Sequence, residues 1–147
     1  MNWELKRFNE LTVDEIYKIL QLRNEVFVVE QNCPYQDIDG KDENSYHLFC
    51  KEDGKIIACL RILEKGLSFD EISIGRVCVS KSFRGKNIAR EMMKYAIKFI
   101  EEELGGKAIK IQAQSYLIDF YGSLSFKPIS EEYLEDDIPH NDMMYVK

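Results

Sequence analysis

Basic and small residues are concentrated between positions 81 and 90, a stretch that contains no carboxylate. It follows an apolar, strand-like run and precedes a segment with helical periodicity. A turn between a strand and a helix points successive backbone N–H groups, and the positive end of the helix, at a place that suits a phosphate or diphosphate group. Gly85 lets the backbone approach such a ligand, Asn87 tolerates left-handed dihedral angles, and Ala89 keeps the first helical turn uncrowded. The alternative is an ordinary strand-to-helix connection.

Two arginines, Arg61 and Arg76, lie in strand-like runs that are otherwise mainly apolar. A guanidinium there is costly unless it is paired or faces a cavity. Either they bind a carboxylate or phosphate of a ligand, or they form structural ion pairs with Glu30 or another acid of the polar loop at residues 30–40. Arg23, at the end of a helical pattern, is expected to form a structural pair with the same loop.

The elements that must position these residues follow from periodicity and turn signals. Thr12 and Glu15 match a capping box, which starts a helix, and Asp53-Gly54 suits a hairpin turn. The predicted elements are a strand at 3–8, a helix from 13 to about 28, a loop at 30–40, strands at 46–51, 55–63 and 72–79, a helix from 88 to Gly105, a strand at 108–113, a helix at 117–124, and strands at 127–133 and 143–146. This order predicts an α/β (α+β) fold with a mixed sheet and helices on both faces.

Composition narrows the class of protein. A chain of 147 residues with 45% hydrophobic content is expected to form one domain, residues 1–147. The sequence has no export signal or membrane-spanning stretch, which favours a cytoplasmic protein without a membrane partner. A net charge of −6 argues against nucleic acid as a partner. The four cysteines form no Cys-x-x-Cys pair, so neither a metal site nor disulfides are expected.

The stretch from residue 77 to residue 90 resembles motif A of the GNAT acetyltransferases, in which Arg or Gln is followed after two residues by Gly and then by Gly or Ala. Arg84, Asn87 and Ala89 occupy these positions, and Asn87 replaces the central glycine. The resemblance implies that a loop binds the pyrophosphate of CoA and that the preceding strand pairs with the pantetheine arm. The loop residues are Arg84, Gly85, Lys86, Asn87, Ile88, Ala89 and Arg90, and the strand residues are Val77, Cys78 and Val79.

A second segment, residues 117–128, resembles motif B of the same family, with Ser125 where glycine is commoner. In the family, a tyrosine of this helix protonates the departing thiolate, which assigns that role to Tyr121. A half-buried core tyrosine is the alternative. Further segments at residues 22–40, 74–77 and 137–140 resemble the ElaA-like subfamily. The resemblance implies a GNAT fold with six to seven strands splayed between the fourth and the fifth, and acetyl-CoA as co-substrate without a metal.

Acetyl transfer to an amine needs a base, a polarised carbonyl and a proton for the leaving sulfur. His140 is the first candidate base, because only the two histidines titrate near neutrality, and Glu30 acting through water is the second. Backbone amides near Val77 and Val79 would stabilise the oxyanion. Gln112 occupies a position where some relatives carry a glutamate base, but it cannot accept a proton. The candidate acceptor-binding residues are Glu30, His47, Arg61, Arg76 and Gln112.

The sequence leaves several functions open. The first is an N-acetyltransferase that acts on a primary amine of a small molecule or peptide. The second is a catalytically silent CoA-binding regulatory module, supported by the departures at Gln112 and Ser125. The third is an acyl-homoserine-lactone synthase, which shares the fold and a related Arg-x-x-Val-Phe segment but is disfavoured by the shorter chain and by the motif A match. The oligomeric state is also open, a homodimer included.

Overall fold

The computed structural model describes residues Met1–Lys147 and contains one mixed sheet of eight strands. The strand order is β1-β2-β3-β4-β5-β8-β6, and β7 pairs with β8. The strands are β1 (Asn2–Arg7), β2 (Ser45–Glu52), β3 (Lys55–Leu63), β4 (Ile72–Val79), β5 (Ala108–Gln114), β6 (Phe126–Pro128), β7 (Tyr133–Glu135) and β8 (Ile138–Val146). The predicted mixed α/β sheet is therefore confirmed, with eight strands instead of six or seven.

Strands β4 and β5 are parallel and pair at two positions only, Ile72 with Ile109 and Ser73 with Lys110. Beyond these pairs the strands separate, which opens the sheet along the C-terminal half of β4. The splay is where the resemblance to the GNAT family placed it.

Three α-helices cover the two faces of this sheet: α1 (Val13–Arg23), α2 (Ile88–Glu102) and α3 (Ile118–Gly122). The predicted capping box starts α1, since Glu15 N donates to Thr12 Oγ1 at 3.1 Å and Thr12 N donates to Glu15 Oε1 at 2.9 Å. Helices α2 and α3 pack on one face in a core of 23 buried residues, and α1 packs on the other in a cluster of seven. The 15-residue α2 is held by its apolar stripe, which includes Met92, Ala96 and Ile100.

The predicted continuation of α1 as an α-helix to residue 28 is wrong, because residues Asn24–Glu30 form a π-helix. Val26, Val28 and Val29 are β-branched and disfavour a tight helical turn, and the wider turn is common near functional sites. Glu30 is thereby placed at the end of a helical segment.

The predicted closing strands also needed correction. Asp136 and Asp137, with φ of 50° and 62°, make the two-residue turn of a β7–β8 hairpin. His140 therefore lies in a strand and not in a turn. Pro139 is tolerated there because it pairs with the short strand β7, beyond the end of β5.

No helix of the structure is both long enough and apolar enough to span a membrane.

Candidate active site

The β4–α2 turn, defined as residues 84–90, presents a row of unpaired backbone donors. No backbone or side-chain acceptor in the chain receives the amide of any residue from Gly85 to Arg90. Gly85 has φ of +79° and Asn87, the N-cap of α2, has φ of 62°, so the turn uses the left-handed region that these residues tolerate. Six free N–H groups next to the positive end of a 15-residue helix are chemically suited to receive an anion.

A cavity of about 280 Å³ lies against this turn. Its lining includes every predicted loop residue except Lys86, and it includes Val79 of β4. Two aromatic residues that the sequence reasoning missed, Phe83 and Phe120, complete the wall. Arg90 lies over the Phe120 ring at 5.5 Å and Lys86 over the Phe83 ring at 5.2 Å, so aromatic faces hold both cations near the turn.

The splayed half of β4 has unpaired backbone groups as well. Ser80 N donates to Ile57 O of β3 at 2.7 Å. Since alternate residues of a strand turn their amides to opposite sides, Val79 and Val77 turn theirs toward the gap between β4 and β5. A bulge at Arg76, with φ of 52°, interrupts the pairing with β3 just before Val77. The two valine amides are therefore available to a ligand in the gap.

Tyr121 lies in α3 on the face that carries α2, and 7% of its surface is exposed. Its ring packs edge-on against Phe120 at 5.1 Å and Phe126 at 6.0 Å, and its hydroxyl makes no hydrogen bond within the chain. Burial raises the pKa of Tyr121, and the neighbouring Tyr116 and Cys78 raise it further. Tyr121 belongs to the same buried core as Val79, at the end of the splayed strand β4. A protonated phenol with a free O–H is able to donate a proton there.

His140 lies in β8 opposite Gln114 of β5, and its ring stacks on Tyr133 at 6.1 Å. Its Nδ1 is 2.7 Å from Ile138 O. A carbonyl oxygen only accepts, so Nδ1 carries the hydrogen and Nε2 is the free acceptor of the neutral ring. This tautomer suits a base that receives a proton at Nε2.

Gln112 lies opposite Asp142, two residue pairs along the β5–β8 ladder from His140. Tyr133 Oη donates to Asp142 Oδ1 at 2.5 Å, and Lys110 Nζ is 3.7 Å from Asp142 Oδ2. Burial raises the pKa of Tyr133, and its bond to Asp142 raises it further. The sequence did not predict this polar group. Its members share one face of the sheet because of the register of β5 with β8 and of β7 with β8, and that register is a property of the folded chain.

Three arginines for which the sequence predicted ion pairs or ligand contacts lie together with three aspartates. We call this group the arginine–aspartate cluster: Arg23, Arg61, Arg76, Asp37, Asp39 and Asp42. Arg23 Nε is 2.9 Å from Asp37 Oδ2, and its Nη1 is 2.7 Å from Asp42 Oδ1. The predicted pairing of Arg23 with the loop is thus confirmed.

Arg61 binds Asp39 at 2.6 Å and Asp42 at 2.9 Å, and its Nε has no hydrogen-bond partner. Arg76 Nε is 2.8 Å from Asp37 Oδ1, an ion-pair distance without the alignment of a hydrogen bond, and its Nη2 donates to Asp37 O at 3.2 Å. Both arginines therefore pair with aspartates of the loop and not with Glu30. The Nη1 of Arg76 has no partner, and 23% of this side chain is exposed, so one edge of the guanidinium remains free.

His47 is buried beside this cluster, with 3% of its surface exposed. Its Nε2 is 2.8 Å from Asp42 O, and burial lowers its pKa. The ring also contacts Phe8 at 6.1 Å. His47 and Arg61 are thus held by the cluster, on the sheet face that carries α1.

Glu30 forms a two-point ion pair with Arg84: Nη2 donates to Oε1 at 2.8 Å, and Nη1 donates to Oε2. Arg84 Nε also donates to Val79 O at 3.0 Å. The hydrogen bonds from Arg84 hold the pKa of Glu30 below its ordinary value, which makes its carboxylate a weak base. The pair joins the end of the π-helix to the β4–α2 turn.

The model of the acetyltransferase (GNAT) domain matches residues 9–147. Protein ElaA of Escherichia coli is 41% identical over 143 residues, which cover 95% of this chain and 93% of that protein. A crystal structure of ElaA from E. coli has a TM-score of 0.92, with 39% identity over 99% of both chains.

A crystal structure of an acyl-CoA N-acyltransferase from Pseudomonas aeruginosa has a TM-score of 0.93 and 39% identity, and covers 99% of this chain and 100% of that one. The CoA-dependent acyl-homoserine lactone synthase BjaI has a TM-score of 0.76 at 14% identity over 97% of this chain and 80% of that chain. At that identity the likeness to the lactone synthase concerns the fold alone.

Proposed function

Because the chain belongs to the GNAT acetyltransferase family, we propose that it transfers an acetyl group from acetyl-CoA to a primary amine of a small molecule or peptide by direct attack. The observation that carries this proposal is the row of six unpartnered amides from Gly85 to Arg90. The amides of Ile88, Ala89 and Arg90 are the first-turn donors that a helix leaves unpaired, and Gly85, Lys86 and Asn87 extend the row beyond the helix end, which suits a ligand with several acceptor oxygens.

The residues of the β4–α2 turn fit the diphosphate of CoA. Their amides would donate to its oxygens, while Lys86 and Arg90 supply positive charge at the rim. Val77 and Val79 would pair through their backbones with the pantetheine arm, as an added strand, and Cys78 lies between them. Acetyl-CoA would supply an activated thioester, and the valine amides would polarise its carbonyl oxygen.

We assign proton transfer to Tyr121 and His140. Tyr121 holds a proton on a hydroxyl without a partner near β4, where a departing thiolate would need one. His140 has Nε2 free to take a proton from the amine, directly or through water. Glu30 is a poorer base because of its ion pair with Arg84, and Gln112 contributes polarity without proton transfer.

On the acceptor side we assign His47 and Arg61 to stabilising the loop at residues 30–40, and Arg76 to binding. Nη1 of Arg76 is free to donate to a carboxylate or carbonyl oxygen of the acceptor. We further propose that residues 1–147 act as one domain. Four free cysteines and a net charge of −6 are consistent with a reducing, cytoplasmic setting without nucleic acid.

The test is a thermal-shift titration with acetyl-CoA, followed by a panel of primary amines with thiol release as the readout. A ligand at a hundredfold excess over its Kd stabilises the fold by about 2.7 kcal/mol. We expect Tyr121→Phe to retain this shift while kcat falls about a hundredfold, because general acid catalysis is lost. Tyr116→Phe, on an exposed neighbour, is the matched control and should keep full activity. A thermal shift without thiol release for any amine would favour the silent CoA-binding module.

A further inference from the structure

A second cavity, of about 160 Å³, lies beneath α1 on the sheet face opposite α2. Its wall is mainly apolar and includes Phe8, Leu11, Ile16 and Leu20. It shares no lining residue with the cavity at the β4–α2 turn. A cavity of roughly 150 Å³ with aliphatic and aromatic walls is large enough to hold a benzene ring.

One polar group in this cavity has an unused hydrogen-bonding site. His47 lines the cavity, and its Nε2 is 2.8 Å from the carbonyl oxygen of Asp42. Since the carbonyl accepts, Nε2 carries the hydrogen, and the lone pair of Nδ1 has no donor in the chain. His47 is 3% exposed, yet the only fully buried side-chain atoms without a partner are Arg61 Nε and Arg76 Nε. Nδ1 of His47 is not among them, which indicates that this nitrogen keeps some accessible surface, and His47 is a lining residue of this cavity.

We propose that this cavity binds a small neutral aromatic molecule with a single hydrogen-bond donor, for which phenol is the simplest example. The ring would fill the apolar space and its hydroxyl would donate to Nδ1 of His47. The charges at the rim exclude an anion, because Asp42 and Glu43 would face a carboxylate. The positive charge of Arg23 is already compensated by Asp37 and Asp42, so it would not attract an anionic ligand.

The proposal is independent of CoA binding, since no residue of the β4–α2 turn takes part in it. The cavity is connected to the arginine–aspartate cluster through Asp42. The carbonyl oxygen of Asp42 accepts a hydrogen bond from His47, and its carboxylate accepts hydrogen bonds from Arg23 and Arg61. A ligand on His47 would therefore stabilise the loop at residues 30–40 from the side away from the active site.

The test is an NMR titration of the ligand-free protein with phenol, in which the ¹⁵N resonances of the His47 imidazole are followed. The expected result is a saturable shift of the unprotonated nitrogen, together with shifts of the lining residues. Anisole has nearly the same size but no donor, and should bind about tenfold more weakly through loss of one hydrogen bond. Benzoate should not bind. Equal affinities for phenol and anisole would overturn the proposal.

A pair of variants on α1 provides the second measurement. Leu20 lines the cavity and is half-buried, so Leu20→Trp should fill the space, keep the fold and abolish the phenol shift. Tyr17→Trp adds the same ring at a position that is 69% exposed and outside the lining, and should leave phenol binding unchanged. Undiminished phenol binding by Leu20→Trp would overturn the proposal. So would concentration-dependent shifts without ligand at the lining residues, which would identify the apolar patch as a contact between copies of the chain.

Discussion

The β4–α2 turn and the arginine–aspartate cluster are both polar, but their hydrogen-bonding groups are in opposite states. In the turn, six successive amides have no acceptor in the chain. In the cluster, three guanidinium groups meet three carboxylates at distances from 2.6 to 3.4 Å. The turn is therefore open to a ligand, whereas the cluster is closed on itself apart from one edge of Arg76.

This difference shows how to separate binding from structural charge. A charged residue in a strand pattern implies an unfavourable free energy of burying its charge. An oppositely charged ligand or an oppositely charged residue of the chain could each offset it. The two cases are distinguished by the hydrogen-bond and ion-pair partners that each charged group has in the folded chain. By this criterion Arg61 is structural, the amides from Gly85 to Arg90 are the proposed binding site, and Arg76 is structural with one edge left for the proposed acceptor.

The largest effect on this comparison should come from opening the closed region. Arg23→Met removes the most buried guanidinium, with 1% of the residue exposed, and leaves Asp37 and Asp42 with too few partners. We expect the free energy of unfolding in urea to fall by about 3–5 kcal/mol. Lys18→Met, which removes an exposed pair with Asp14, is the control and should cost at most about 0.5 kcal/mol. A loss below about 1 kcal/mol for Arg23→Met would mean that the cluster is not closed.

The second prediction removes one donor from the open region. Ala89→Pro deletes a single amide in the first turn of α2, where the missing N–H costs no intrahelical hydrogen bond. Because a hydrogen bond to a charged group contributes about 1.5–3 kcal/mol, the Kd for acetyl-CoA in isothermal titration calorimetry should rise about tenfold to a hundredfold. Ala89→Ser keeps the amide and should bind normally. Equal affinities for the two variants would show that this amide does not contact the diphosphate.

The third prediction uses pH to weaken the closed region alone. Burial opposes ionisation of Asp39 and Asp42, but the hydrogen bonds from Arg61 and Arg23 outweigh it, so both pKa values are below the ordinary 3.8. A carboxyl with a lowered folded-state pKa stabilises the protein fully above its unfolded pKa and loses that contribution as the pH falls through the folded value.

The free energy of unfolding should therefore be constant near pH 6 and decline below about pH 4. Asp39→Asn should narrow the difference between pH 6 and pH 3 by about 1 kcal/mol, as measured by urea unfolding at each pH. Glu43→Gln, on an exposed acid outside the cluster, is the control. An unchanged pH dependence in Asp39→Asn would contradict the assignment of this carboxyl to the cluster.

The smallest effect should come from the pair that connects the π-helix to the turn. Glu30→Gln removes a negative charge beside the diphosphate site and releases Arg84. We expect acetyl-CoA to bind about two- to threefold more tightly at low salt, and the gain to shrink as salt screens the exposed charges. Glu25→Gln is the control, because it changes the net charge by the same amount in the same π-helix at a residue that makes no ion pair. Weaker binding by Glu30→Gln would indicate that Glu30 holds Arg84 in its binding orientation.

Much of the fold followed from local signals in the sequence. Thr12 and Glu15 marked the start of α1, Asp53-Gly54 marked the β2–β3 hairpin, and the apolar period from Ile88 onward marked α2. The β7–β8 hairpin was missed because Asp136-Asp137 is a less specific turn signal than Asn-Gly or Asp-Gly. The π-helix was missed because its apolar spacing resembles that of an α-helix.

The candidate site divides in the same way. The residues of the β4–α2 turn are contiguous, so composition and order were enough to predict an anion site, including the left-handed Asn87. Phe83, Phe120 and the Tyr133–Asp142 pair had no such signal, because they reach the site from separate elements.

By itself, the sequence determined most of the helices and strands and predicted an anion-binding turn between β4 and α2, because turn chemistry and periodicity are local properties of the chain. Tertiary structure decided which charges remain available. Arg61 and Nε2 of His47 are occupied by Asp39 and Asp42, Glu30 is held by Arg84, and one edge of Arg76 is free. These outcomes depend on contacts between residues far apart in the chain. Each buried charge needs a partner, and the partners come together only when the sheet and its loop have assembled.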